Sequence, residues 1–154
     1  MAVPVTDQTM ARPRIGLMTF GDDRDYMWDG YFGPMTEPRH EEAANYLRSL
    51  QVELFSFAEV ARSKEDVDRQ VRELKEAQVE ALFAHTPCWT TPNVVVRAVQ
   101  HLDVPTVVMT SKSAATHGTV GLLAAAGALS QIGFDHVRVR DDFGAPICEA
   151  ELMP

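Results

Sequence analysis

The stretch "VEALFAHTPCWTTPNVVVRAVQHLDVPTVVMT", residues 79–110, decides the fold. It opens on a short apolar run, 79–84, breaks into a polar loop, and resumes as "NVVVRAVQHL", with apolar positions at helical spacing behind Thr91–Pro92. A second apolar run, "PTVVMT" (105–110), follows after only a few residues. Strand, helix and strand in such close succession form a parallel unit, because the helix carries the chain back to the starting edge of the sheet.

The same grammar extends outward. "RIGLMTF" (14–20) reads as a strand buried on both faces, and "VELFSF" (52–57) as another. Between them, a helix is expected to begin near Thr36 as N-cap, with Glu37 and Pro38 in its first turn and Ala43, Ala44, Leu47 and Leu50 on its apolar stripe. Ser63 caps "KEDVDRQVRELKEAQ", in which Val67, Val71 and Leu74 face the core and the alternating charges face water. "TVGLLAAAGALSQI" (119–132) is so apolar that it reads as a fully buried helix, stopped by Gly133. "HVRVR" (136–140) alternates like a strand with one polar face. Five strands separated by four helices predict an α/β domain: three layers, α/β/α, around an open five-stranded parallel sheet of the flavodoxin or Rossmann-like kind.

Composition narrows the function classes. The chain has 154 residues, 45% hydrophobic and 23% charged, as a single globular domain requires. A net charge of −8 with no Lys/Arg run argues against a nucleic-acid partner. Residues 120–129 are too few to span a bilayer, which takes about 20 apolar residues. The first residues have no apolar core of the signal-peptide kind, and Cys88 and Cys148 lack disulfide or zinc spacing. A cytoplasmic, reduced setting is expected, with no membrane partner. The organisation read from the sequence is a loose lead at 1–13, the α/β domain at 14–140, and a tail at 141–154 running towards further domains.

Ligands of such sheets bind beyond the carboxyl ends of the strands, near the point where the strand order reverses. The loops there are "GDDRDYMWDGYFGPMT", "HTPCWTTP" and "SKSAATHG", rich in polar and aromatic side chains, whereas those at the amino edge are short and plain. Several chemistries fail on them. "FGDDRD" lacks the glycine pattern of a phosphate loop, and its carboxylates repel phosphate. A phospho-accepting aspartate is missing at Ala84–His85–Thr86. Cys88 with His85 as base makes a poorer nucleophile than a small buried neighbour. "RHEE" (39–42) is read as the start of a helix whose acids complement its dipole, and no metal site is assigned. Trp89 stays open between core filler and a platform for the C–H face of a sugar, with Arg24 supplying hydrogen bonds.

"PRIGLMTFGDDRD", "HTPCW" and above all "TVGLLAAAGALSQIG" resemble the N-terminal domain of the L-fucose isomerase and L-arabinose isomerase superfamily, over residues 14–140. That resemblance implies a sugar aldose–ketose isomerase. It implies a divalent ion, usually Mn²⁺, held by Glu, Asp and His of later domains, and a homo-oligomer whose site is completed across a subunit boundary. Arg24 and Trp89 match the positions that touch the open-chain sugar. Asp22, Asp23, His85, Thr90, Lys112 and His117 are candidates for further loop contacts. No catalytic residue is assigned to this chain, which alone is expected not to isomerise. The alternative is a stand-alone module binding a small polyol or another protein.

Overall fold

A computed structural model describes residues 11–143. Five parallel strands form one sheet in the order β2-β1-β3-β4-β5: β1 Arg14–Thr19, β2 Glu53–Ser56, β3 Ala81–His85, β4 Thr106–Thr110 and β5 Val137–Arg140. The register runs Ile15 opposite Leu54 and Ala81, Leu82 opposite Thr106, and Val107 opposite Val137. The order reverses at β1, which lies between β2 and β3, so the loops leaving β1 and β3 meet at the carboxyl edge. The expected open parallel α/β sheet is the one found.

Helices α3 (Lys64–Glu76), α4 (Pro92–Leu102) and α5 (Gly118–Gln131) pack on one sheet face. Met18, Phe20, Leu82, Ala84 and Val108 of the sheet meet Val67, Leu74, Val95, Val99, Leu122 and Leu129 there. On the other face, Ala43, Ala44 and Leu47 of α2 (Gly33–Ser49) pack over Ile15, Leu17, Phe83 and Met109. The end of α3 is set as the sequence predicts: Ser63 Oγ accepts from the Asp66 amide, and the Asp66 carboxylate accepts from the Ser63 amide. Gly133, at φ +74°, closes α5, with the Gly133 amide on Ser130 O and the Phe134 amide on Leu129 O.

Four expectations change. Thr36 is not an N-cap but a buried interior residue, because helical structure already begins with α1 (Asp25–Met27) and a π-helical turn, Trp28–Phe32, that runs into α2. Arg39–Glu42 therefore sit inside α2 rather than at its dipole end, with Arg39 paired to Glu42 at 2.7 Å. Thr91 does start α4, but its side chain makes no capping hydrogen bond, and Pro92 at the first position sets the backbone instead. Finally, α5 is buried on one side only: Val120 is 47% and Leu123 57% exposed. Its abundant Ala and Gly count as apolar but carry little area to bury. No helix among the described residues is long and apolar enough to cross a membrane. The tail read at 141–154 falls mostly outside the described residues, although the Asp141 amide still donates to Thr110 O at 3.1 Å.

Candidate functional site

The carboxyl edge is knitted together by backbone. The Phe20 amide donates to His85 O, tying the end of β1 to the end of β3, and Thr90 Oγ1 donates to Gly21 O at 3.1 Å. Gly21 has to be glycine, since a Cβ there would overlap the Trp28 ring. The loop after β4 joins through a bridge between Cys88 and His117 and through Tyr31 Oη, which donates to Ala115 O at 3.1 Å.

Asp22 is the centre of the first loop. Its fully buried carboxylate accepts from the Arg24 amide at 2.9 Å and from the Arg24 guanidinium fork at 2.9 and 2.6 Å. Those hydrogen bonds from Arg24 hold the Asp22 carboxyl below the usual carboxylate range, and the same contact raises Arg24 above its ordinary value. Arg24 remains about half exposed, its guanidinium 5.9 Å from the Tyr26 ring. Beneath it, Arg62 donates to Asp22 O and to Asp25, both at 2.8 Å, and lies 4.7 Å over the Trp28 ring. Asp23 is exposed at the rim of a shallow recess shared with Asp25, Glu59 and Arg62.

Trp89 is half-buried, neighboured by fully buried Cys88 and Thr90. Burial pushes the Cys88 thiol up to about 11, and Cys88 Sγ donates to Trp89 O, so it holds the loop and offers no thiolate. Gly118 and Gly121 let the first turn of α5 lie directly on this loop: a Cβ at Gly118 would meet Thr86 O at 2.9 Å, and one at Gly121 would overlap Cys88 O. His117, in the left-handed region at φ 55°, caps this turn, exposed, with Tyr31 and Phe32 rings at 6.2 and 5.9 Å.

The structure thus gathers Asp22, Arg24, Trp89, Thr90 and His117 on three joined loops. His85 and Lys112 stand apart. His85 is wholly buried, with Nδ1 3.1 Å from Thr19 Oγ1, which in turn lies 2.7 Å from His40 Nδ1. One hydroxyl has one proton. An unpartnered lone pair on buried His85 Nε2 costs less than an unpartnered N–H, so His85 donates from Nδ1 and Thr19 donates to His40. Desolvation takes His85 down to about 3, and it stays neutral at ordinary pH. Lys112 is bound to Asp141 and lines a separate polar cleft of about 430 Å³ with Arg39, Glu42 and Ser111.

Sequence reading missed Arg62, Trp28, Thr19 and His40. The pair of glycines moulded to Trp28, Gly21 and Gly33, is the one signal that pointed to it; the His40–Thr19–His85 chain has none. A cavity of about 850 Å³ lies at the opposite, amino edge and is apolar. Volume alone does not locate chemistry, and the polar loops remain the candidate site. Among the described residues no group of three or more His, Cys, Asp or Glu is arranged to hold a metal ion, and nothing there fits the divalent ion that the resemblance implies.

A family described as "L-fucose isomerase, first N-terminal domain" matches residues 12–144. The match covers most of the chain, which belongs to that family. No curated protein matches the chain.

Proposed function

We propose that this member of the L-fucose isomerase family supplies sugar contacts and assembly surface to an aldose–ketose isomerase of the L-fucose or L-arabinose type. The observation that carries the reading is the family match together with a polar, aromatic carboxyl edge at the reversal of strand order. Trp89 offers its ring to the C–H face of an open-chain sugar. Arg24, oriented by the buried Asp22, presents hydrogen-bond donors to sugar hydroxyls beside it. Thr90 and Arg62 fix the two loops and so hold this geometry.

Aldose–ketose interconversion moves a proton between adjacent carbons, which takes a base and an electrophile on the oxygens. A divalent ion, Mn²⁺ in this proposal, would supply the electrophile, and the described residues of this chain would not be its ligands. This chain's part is to bind, orient and shield the sugar, within a homo-oligomer in a cytoplasmic setting. Saturation-transfer NMR with an open-chain polyol such as L-fucitol tests the contact. Transfer to the wild type that is lost in Trp89→Ala is expected; no transfer to the wild type refutes it. Incubation with Mn²⁺ and L-fucose or L-arabinose is expected to give no ketose from this chain alone, and robust turnover would overturn that part.

A further inference from the structure

Two buried histidines beneath the carboxyl edge take no part in the sugar contacts. His85 ends β3 and is fully buried, and His40, from the middle of α2, is 5% exposed. Both reach one hydroxyl at the end of β1: Thr19 Oγ1 lies 2.7 Å from His40 Nδ1 and 3.1 Å from His85 Nδ1. That hydroxyl has a single hydrogen to give, so the chain of three groups has a direction. With both rings neutral it runs from His85 to Thr19 to His40, because His85 Nε2 is buried without a partner and a bare N–H there costs more than a bare lone pair.

A proton added to His40 cannot leave that direction intact. His40 Nδ1 accepts from Thr19, so the added hydrogen goes to Nδ1 and turns it from acceptor to donor. Thr19 Oγ1 then accepts from His40, and its own hydrogen turns to His85 Nδ1. Two hydrogens do not fit between Thr19 and His85, so His85 gives up the one on Nδ1 and carries one on Nε2 instead. The sum is one proton taken from solvent, with His85 neutral before and after. Desolvation, which takes His85 down to about 3, keeps it so.

We propose that His40, Thr19 and His85 form a pH-operated switch in which protonation of His40 reverses the hydrogen-bond chain and moves the hydrogen of His85 from Nδ1 to Nε2. The chain lies at the roots of two loops of the edge: Thr19 O accepts from the Ala61 amide at 2.8 Å, and the Phe20 amide donates to His85 O at 2.9 Å. In the reversed state the hydrogen on Nε2 has no acceptor among the described residues, so acid loosens both roots. The other charged groups nearby are engaged or exposed. On α2, Arg39, which acts on His85 through space, is held by Glu42 at 2.7 Å, and Glu37 and Glu41 are exposed. Beyond β4 and β5, Lys112 is bound to Asp141 and its amide donates to Asp142. Among the described residues none of these bonds Thr19 Oγ1 or either Nδ1. The switch does not depend on the sugar-contact reading.

The test is ¹⁵N–¹H correlation of the imidazole nitrogens in the full chain, labelled at histidine, from about pH 8 to about pH 5, the range in which histidines charge. His40→Gln and His85→Gln assign the two rings. His85 is expected to carry its hydrogen on Nδ1 at the alkaline end and on Nε2 at the acid end, with the same midpoint at which His40 becomes doubly protonated. Thr19→Ser should keep that shared midpoint, and Thr19→Val, which lacks the hydroxyl, should separate the two events. The wild-type record decides even where Thr19→Val does not fold. A His85 that keeps its Nδ1 hydrogen while His40 charges overturns the proposal. So does a His85 already in the Nε2 form at the alkaline end, a His40 that takes up no proton across the range, or a folded Thr19→Val in which the midpoints stay joined.

Discussion

Replacing Asp22 with Asn keeps the shape of the buried side chain and removes its charge. The carboxylate accepts three hydrogen bonds from Arg24, two of them from the guanidinium. In the variant one oxygen becomes an NH₂ that faces an Arg24 donor, so a buried donor loses its partner. That loss costs about 1–3 kcal/mol. Arg24 is about half exposed and regains water, which moves the expectation to the lower part, about 1–2 kcal/mol. For a chain of this length each kcal/mol lowers Tm by about 2–4 °C, so Asp22→Asn is expected to melt about 2–8 °C lower. The pH dependence identifies the cause. The folded-state value of Asp22 is depressed, so its contribution is present above the unfolded value of about 3.9 and is lost as pH falls through the lower folded value. The gap between wild type and variant, followed by urea titration from neutral to acid pH, should therefore be constant near pH 7 and close at low pH. A variant with unchanged Tm, or a gap that persists unchanged into acid, would refute the buried pairing.

Further outcomes follow from the same geometry. His85 titrates at about 3 folded and about 6.5 unfolded, so the unfolded state binds the extra proton and stability falls as pH drops below about 6.5. The slope approaches about 1.4 kcal/mol per pH unit between these values, and urea titrations of His85→Gln should lack this component. Gly121→Ala, whose new methyl would overlap Cys88 O, is expected to destabilise by about 1–3 kcal/mol, whereas Gly127→Ala, facing open space, should stabilise by up to about 1 kcal/mol. Calorimetry on the pair separates close packing from helix propensity. Cys88, fully buried with its thiol raised to about 11, should stay unmodified by iodoacetamide at pH 8 in the native chain and react on unfolding, as intact-mass measurement would read.

Local pattern was enough for the strands, for the Ser63 cap and for the parallel order, since short apolar runs at βα spacing permit few arrangements. It failed where tertiary contact overrides local preference. Gly30, Gly33 and Pro34 read as loop residues, yet they belong to a continuous helical path moulded around Trp28, with Gly33 so close to the Trp28 carbonyl that a Cβ would sit 2.9 Å from it. The exposed side of α5 was hidden by composition, because Ala and Gly raise the apolar count without adding area. At the candidate site, the sequence shows Asp22, Arg24, Trp89 and Thr90 as loop residues. That Arg24 is held by Asp22, and that His85 turns inward to Thr19, depends on side-chain directions that spacing does not encode.

The most direct test of the central claim is amide chemical-shift mapping of the chain titrated with open-chain polyols of the fucose and arabinose series. The account predicts perturbations confined to the three joined loops, around Gly21–Tyr26, Thr86–Thr91 and Ser111–Gly118, that vanish in Trp89→Ala. Saturating polyol that leaves these loops unmoved, or that shifts the amino-edge trough instead, would contradict it.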